Sequence, residues 1–303
     1  NGKRVGNFVL APGFTSYKKR HLYQEYDITD MIKAENELVV SVGGGWYRSQ
    51  LSWDVNNINF YGDKCSIIAK IEIKYDDSEE VIYTDESWLC GNGPILSNGI
   101  YAGEVYDARI SAVFDKNAEI FESDKDNLFL QDGEIVCEHE RLKPISFITT
   151  PKGEKVIDFG QNMTGYVEIK VTAKAGDRVV ISHAEVLDRD GNFYTANLRG
   201  AKQKIEYTCR DGEQVYKPHF TFMGFRYIRL DECPENAEFT AIAVYSDIKR
   251  TGYFECSNEK VNKLFQNAVW GQKSNFLDVP TDCPQRDERL GWTGDAQVFV
   301  KTA

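Results

Sequence analysis

The sequence predicts a mainly β fold, in which two antiparallel β-sandwich (jelly-roll-like) domains precede the first helices of another domain. Three observations predict it. Short segments rich in Val, Ile, Tyr and Phe recur along most of the chain, turn-forming residues separate them, and a helical apolar periodicity first appears after residue 250. Short strands joined by tight turns are typical of sandwiches and barrels.

The length predicts more than one domain. At 303 residues the chain exceeds the size at which a single hydrophobic core usually stops growing. Its 42% hydrophobic and 27% charged residues are ordinary for a folded protein. We therefore expect at least two packed units.

Seven segments have the composition of strands: 36–46, 65–75, 165–173, 178–186, 203–210, 225–230 and 238–247. Between several of them lie "DDSEE", "DRDGN", "AGDR" and "RDGEQ", whose Gly, Asp and Asn residues favour tight antiparallel turns. These connections predict antiparallel pairing.

The polar stretch 122–136 interrupts the strand pattern, so we place a domain boundary between residues 125 and 140. The predicted domains are residues 1–130, 131–249 and 250–303. Asn1 and Gly2 form a turn dipeptide with no strand before it, so we expect the first strand of the first domain to be missing.

The last predicted domain opens with a helix. Ser257 is its predicted N-cap, and Glu259 lies in its first turn. One apolar face is formed by Val261, Leu264, Phe265 and Ala268. A second helix is predicted from Asp295, whose carboxylate suits the positive end of the helix dipole. Because the sequence stops at Ala303, we expect this domain to be truncated.

Charge and cysteine usage exclude several classes of function. The formal net charge of -11, with no Lys/Arg run, argues against nucleic acid and anionic membranes as partners. The seven cysteines contain no C-x-x-C pair, so we predict reduced thiols, no metal site and no cofactor. No apolar run approaches the ~20 residues that a membrane helix needs. A cytoplasmic protein is expected, although a removed leader would leave the same pattern.

One segment, "DVPTDCPQRDERLGWTGDAQ" (residues 278–297, here called the acidic segment), concentrates chemistry-bearing side chains. One interpretation is structural: Arg286 and Arg289 neutralise Asp287 and Glu288 in a salt-bridged surface turn, and Trp292 packs on the core. The other is catalytic, because hydrolysis of a glycosidic bond needs a protonated carboxylic acid and a second carboxylate.

The catalytic interpretation gives each polar residue a role. Asp282 and Asp295 would stay ionised and accept hydrogen bonds from sugar hydroxyls, while Arg286 donates to others. Glu288 would keep its proton, because like charges and poor solvation both disfavour its ionised form. Trp292 would offer an apolar face to the C–H surface of a sugar.

The segment "DCPQRDERLGWTGDAQ" (282–297) resembles the signature at the start of the catalytic domain of the bacterial α-L-rhamnosidase family. Residues 156–171, 183–201 and 218–230 are similar to the second β-domain of that family. The segments "VLAPGFTSYKKRHLYQEYDIT" and "GGGWYRSQLSW" are similar to its N-terminal β-domain. The resemblance therefore covers nearly the whole chain.

This resemblance implies an inverting glycoside hydrolase that removes terminal α-L-rhamnose from rhamnosides. It assigns the general acid to Glu288 and rhamnose binding to Asp282, Arg286, Trp292 and Asp295. Some family members have one residue fewer before the acid, which makes Asp287 a rival for the proton-donor role.

The family's general base is a glutamate near the far end of an (α/α)6 barrel, beyond residue 303, so the chain alone is expected to be inactive. The implied partners are terminal α-L-rhamnosyl glycosides and, in the full-length protein, a second copy in a homodimer.

Two other functions compete: a non-catalytic carbohydrate-binding β-sandwich module, and a related (α/α)6 glycosidase acting on another sugar. The sequence does not decide whether the basic segment "NLRGA" (197–201) reaches the catalytic domain.

Overall fold

The computed structural model describes residues 1–303, and the fold is mainly β. None of its helices has both the length and the apolar character needed to cross a bilayer. The first part of the chain contains a 3-10 helix at Thr29–Met31. Its other elements are β1 (His21–Tyr23), α1 (Gly45–Arg48), β2 (Lys70–Lys74), β3 (Glu79–Tyr83), β4 (Leu89–Cys90), β5 (Ile95–Gly99), β6 (Gly103–Asp107), β7 (Lys116–Asn117) and β8 (Leu128–Leu130).

The strand predicted over 36–46 is wrong. Its apolar residues Leu38, Val39 and Val40 are exposed, and no neighbouring strand takes up the backbone hydrogen bonds. An apolar run forms a strand only where pairing satisfies its N–H and C=O groups. The run 65–75 does contain a strand, β2, which pairs with β3.

The second part of the chain contains the other five predicted strands. Its strands are β9 (Val136–Leu142), β10 (Ser146–Thr149), β11 (Lys155–Ala173), β12 (Arg178–Ala184), β13 (Lys204–Thr208), β14 (Gly212–Tyr216), β15 (Met223–Glu232) and β16 (Glu238–Ser246). A 3-10 helix at Ala196–Leu198 lies between β12 and β13. The turn "DRDGN" is a hairpin turn, closed by a bridge between Leu187 and Phe193.

These eight strands, together with β5 and β6, form one ten-stranded sheet, here called the large sheet. Its main order is β5-β6-β13-β12-β15-β11-β16-β9, with β10 and β14 also paired to β11. The long strand β11 pairs antiparallel with both neighbours, and its register against β15 shifts between Asp158 and Met163. Apolar side chains such as Ile157, Ile169 and Phe225 are fully buried against it.

Two strands from the first part of the chain join the large sheet. Strand β6 pairs in parallel with β13, starting at Gly103 opposite Lys204, and β5 continues the sheet at its edge. The turn between β5 and β6, residues 100–102, is thereby held beside the sheet. The predicted domain limits stay predictions.

The end of the chain contains α2 (Glu259–Asn275), β17 (Phe276–Leu277), β18 (Val279–Pro280) and α3 (Thr293–Phe299). The predicted N-cap Ser257 is off by one residue: the cap is Asn258, whose side chain accepts a hydrogen bond from the Lys260 N–H. Only a residue at the cap itself can reach that N–H. On the predicted apolar face, Leu264 is 67% exposed, so no part of residues 1–303 covers it.

Candidate active site

The acidic segment begins on the core. Leu277 is buried in the main apolar cluster, and the Asp278 N–H donates to Ser246 Oγ at 2.9 Å. The Asp278 carboxylate accepts a hydrogen bond from the Phe14 N–H, which ties the segment to the start of the chain. Partial burial raises the pKa of Asp278 to about 6. The segment therefore leaves the large sheet from a fixed point.

Arg289 anchors the middle of the segment, and it is only 1% exposed. Its guanidinium donates to five acceptors: the carbonyl oxygens of Ile100, Phe222, Gln285 and Arg286, and Gln203 Oε1. Burial lowers its pKa to about 10, so the group stays charged at neutral pH. It forms no ion pair with Asp287 or Glu288, so the salt-bridged turn is wrong for this arginine.

Asp287, the rival for the proton-donor role, is turned away from solvent. It is 3% exposed, and its Oδ2 accepts a hydrogen bond from the Gly200 N–H at 2.9 Å. A Cβ at Gly200 would lie 2.7 Å from that oxygen, so glycine permits this close approach. The carboxyl group of Asp287 is thus buried between two parts of the chain.

Three of the predicted site residues meet around one guanidinium. Arg286 Nε donates to Glu288 Oε2 at 2.5 Å, and Arg286 Nη2 donates to Asp282 Oδ2 at 3.2 Å. The side chain of Glu288 is 19% exposed, which keeps a path to solvent open. A side-chain oxygen of Asp282 and one of Glu288 also lie within 4.8 Å of each other, so each carboxyl group affects the pKa of the other. The arrangement is two carboxyl groups held by one cation.

The pKa of Glu288 is shifted in the direction opposite to the predicted one. The hydrogen bond with Asp282 lowers the pKa of Glu288, and Arg286 and Arg199 lower it further against the opposing effect of burial. Burial raises the pKa of Asp282, and the hydrogen bond with Glu288 raises it further. The two pKa shifts have opposite directions, so Asp282 is favoured over Glu288 as the carboxyl group that holds a proton.

The other two predicted site residues lie apart from this cluster. Trp292 is the N-cap of α3 and is 56% exposed. Asp295 lies in the first turn of α3, as predicted, and its side chain is exposed. Neither side chain is hydrogen-bonded to Asp282, Arg286 or Glu288, so the structure does not join the two groups.

Two residues near Glu288 were missed as site residues by sequence reasoning. Arg199 Nη1 donates to Glu288 Oε1 at 3.1 Å, and the Tyr101 hydroxyl donates to the Glu288 carbonyl oxygen at 2.5 Å. Only the basic character of "NLRGA" gave a signal, and the structure shows that this segment does contact the acidic segment. Tyr101 gave no signal, because a lone tyrosine far away in sequence has no pattern.

A metal site was not predicted, yet three potential ligand atoms, on Asp282, Cys283 and Glu288, lie within 4.8 Å of one another. Arg286 already pairs with both carboxyl groups. Burial raises the pKa of the Cys283 thiol to about 11, which disfavours the thiolate that a metal requires. These residues fit an arginine–carboxyl cluster better than a metal centre.

Comparison with known protein families covers the chain in three consecutive pieces. The α-L-rhamnosidase N-terminal domain matches residues 1–126, and the bacterial α-L-rhamnosidase concanavalin-like domain matches 148–245. The bacterial α-L-rhamnosidase six-hairpin glycosidase domain matches residues 249–303. The chain belongs to the bacterial α-L-rhamnosidase family. The acidic segment lies within the glycosidase-domain match.

Individual members of the bacterial α-L-rhamnosidase family are similar over the whole chain. The α-L-rhamnosidase of Streptomyces avermitilis is 40% identical over 322 residues, which cover 100% of this chain and 31% of the relative. The crystal structure of native α-L-rhamnosidase from Aspergillus terreus matches with a TM-score of 0.93 and 38% identity, covering 100% of this chain and 37% of that one.

The solved structure of the Streptomyces avermitilis α-L-rhamnosidase in complex with L-rhamnose matches with a TM-score of 0.91 and 36% identity. It covers 100% of this chain and 31% of that one. The chain thus spans about a third of the length of the relatives that it matches.

Proposed function

We propose that the protein containing this chain hydrolyses terminal α-L-rhamnosides with inversion, and that Glu288 is the general acid. The family membership and the relatives named α-L-rhamnosidase support the substrate class. The observation that carries the proposal is the cluster of Asp282, Arg286 and Glu288, in which one guanidinium holds two carboxyl groups within the glycosidase-domain match.

Glu288 suits the proton-donor role better than Asp287. Its side chain retains 19% exposure, whereas that of Asp287 is buried against Gly200 and faces no open space. A general acid must come within hydrogen-bond reach of the leaving oxygen. Geometry therefore favours Glu288.

A proton held by this pair would provide a route for acid catalysis. The pKa of Asp282 is raised and that of Glu288 is lowered, so in this proposal Asp282 holds the proton in the free chain. When sugar hydroxyls donate to Asp282, its ionised form is stabilised and the proton moves to Glu288. Glu288 then gives that proton to the leaving oxygen as the glycosidic bond breaks. Asp282 would thus bind the sugar and also control the charge of the acid.

The general base in this proposal lies outside residues 1–303. Inverting enzymes separate their two carboxyl groups by about 6.5–9.5 Å, which leaves room for a water molecule. Asp282 is too close, because an oxygen of its carboxyl group lies within 4.8 Å of one of Glu288. We accordingly propose that the 303-residue chain alone has no activity.

The proposed architecture is two β-sandwich units followed by the first helices of an (α/α)6 barrel. The exposed faces of α2 and α3 support it, because barrel helices pack on further helices. Rhamnose would bind to Asp282 and Arg286, and also to Trp292 and Asp295 once α3 is fixed within the barrel.

The test is to express the complete gene that encodes these residues and to assay a panel of aryl glycosides. We expect turnover of aryl α-L-rhamnosides. NMR should detect β-L-rhamnose, the product of inversion, before its α-anomer. Glu288→Gln should lower turnover of a substrate with a poor leaving group by about 10²- to 10⁴-fold and affect a dinitrophenyl rhamnoside much less.

Asp287→Asn is the matched control, because an amide oxygen can still accept the Gly200 hydrogen bond. It should retain far more activity than Glu288→Gln. Near-normal turnover of the poor substrate by Glu288→Gln would refute the acid assignment. Turnover of another glycoside but not of rhamnosides would refute the substrate class.

A further inference from the structure

Three consecutive residues of the acidic segment, 287–289, are each hydrogen-bonded to the loop 199–203 that precedes β13. The three bonds run from Gly200 N to Asp287 Oδ2 (2.9 Å), from Arg199 Nη1 to Glu288 Oε1 (3.1 Å) and from Arg289 Nη2 to Gln203 Oε1 (3.1 Å). The two segments are thus joined residue by residue. The candidate acid lies in the middle of this contact.

The loop 199–203 is itself fixed in an uncommon conformation. Arg199 and Gln203 both have positive φ, 54° and 47°, a conformation that non-glycine residues keep only where the surroundings hold it. Leu198 and Ala201 are buried in the main apolar cluster on either side of Arg199. The backbone that carries Arg199 is therefore pinned to the large sheet.

The two oxygens of Glu288 have different partners. Oε2 is bonded to Arg286, which also holds Asp282, whereas Oε1 is bonded only to Arg199. Under the proposed function, Arg286 and Asp282 lie on the sugar side of the acid. Oε1, which lies on the Arg199 side, then faces the leaving group.

We propose that Arg199 is a positioning residue for Glu288, supplied by the β-rich part of the chain, and that it orients Oε1 towards the leaving group. This inference rests on the proposed function. Arg199 acts through Glu288 and not on the sugar itself. Its side chain is 49% exposed, so its loss should leave the core intact.

The role has a signature in the pH dependence of the reaction. A general acid must be protonated, so its pKa sets the alkaline limb of the kcat/KM profile. Arg199 lowers the pKa of Glu288, so removing Arg199 raises that pKa and moves the alkaline limb to higher pH. A residue that acted only on folding would leave the limb in place.

The experiment compares Arg199→Gln, Arg199→Lys and Arg178→Gln in the protein expressed from the complete gene. Arg178 is a matched control, because it forms ion pairs on the sheet surface with similar exposure, 43%. Aryl α-L-rhamnosides with poor and good leaving groups are assayed across pH.

We expect Arg199→Gln to lower kcat for the poor leaving group by about 10- to 100-fold, with a smaller loss for the good one and little change in KM. Its alkaline limb should move to higher pH, and Arg199→Lys should restore part of both effects. The ratio of the two kcat values does not depend on how much of the sample is folded.

Equal leaving-group ratios and equal alkaline limbs in Arg199→Gln and Arg178→Gln would overturn the role of Arg199 alone. Failure of the unsubstituted protein to hydrolyse any rhamnoside would overturn the proposed function, and this inference with it. The two failures are therefore distinguishable in one set of assays.

Discussion

The acidic segment has two halves that differ in how they are held. From Asp278 to Arg289 the chain is bonded to the large sheet and to the turn between β5 and β6, and Asp287 and Arg289 are buried. From Trp292 onwards the chain forms α3, none of whose residues is buried. The difference teaches that part of the candidate site is preorganised by the β-rich region, independently of the helical elements.

Preorganisation of the first half has a physical cause. Each charged group there has a partner: Arg289 has five acceptors, and Arg286 has two carboxyl groups. Buried Gln285 Oε1 and Asp287 Oδ1 have no partner, but any arrangement that moved the two arginines would leave further donors and acceptors unpaired. In the second half, Asp295 and Trp292 are solvated, and no such penalty restricts them.

The largest expected effect on stability comes from replacing Arg289, which anchors the first half. Arg289→Met would leave four carbonyl oxygens and one amide oxygen without their donor, so we expect a loss of about 3–5 kcal/mol in the free energy of unfolding. Denaturant unfolding measures it. Arg189→Met, at an exposed arginine, is the control and should change stability by less than about 0.5 kcal/mol. Equal stabilities of the two variants would show that Arg289 does not hold the first half of the acidic segment in place.

A smaller effect on stability is expected at Asp278, where the first half begins. The pKa of Asp278 is about 6 in the folded chain and near 3.8 when unfolded, so the folded state holds the proton more tightly. The protonated Asp278 side chain therefore stabilises the folded state below pH 3.8, and this contribution is lost as pH rises through about 6. The Asp278→Asn variant, which keeps an acceptor for Phe14, should gain about 1–2 kcal/mol on the unsubstituted protein between pH 4 and 7. Parallel pH–stability curves would contradict this.

The smallest effect on stability is expected in the second half. Trp292→Ala should change the free energy of unfolding by less than about 0.5 kcal/mol, because the ring is largely solvated. In the protein from the complete gene, the same change should weaken L-rhamnose binding by about 3- to 10-fold, measured by calorimetry. A strongly destabilised variant would show that Trp292 is held as firmly as Arg289.

Sequence reasoning succeeded where local pattern determines the outcome. Five of the ten strands of the large sheet, β11, β12, β13, β15 and β16, were predicted, because alternation and turn residues suffice to specify them. It failed at 36–46, where no partner strand is present, and at Arg289, where an arginine among acids was read as part of a surface turn. The acceptors of Arg289 include Ile100 O, 189 residues away, and no local pattern encodes that contact.

The candidate site was located by its signature, but its electrostatics were not. The predicted charge of Glu288 counted the carboxylates beside it in sequence, whereas Arg286 and Arg199 are its neighbours in space. Arg199 comes from a loop that sequence alone could not orient. Predicting a pKa requires the three-dimensional arrangement of charges, which spacing along a chain does not provide.

The turn between β5 and β6 determines where related proteins could exchange their N-terminal modules. Ile100 and Tyr101 touch the acidic segment, yet they belong to the first third of the sequence. A chimera joined near residue 130 would replace these two contacts with those of a foreign module. A junction placed ahead of Ile95 would retain both contacts. The safest crossover point therefore lies well before the domain boundary that the sequence predicts between residues 125 and 140.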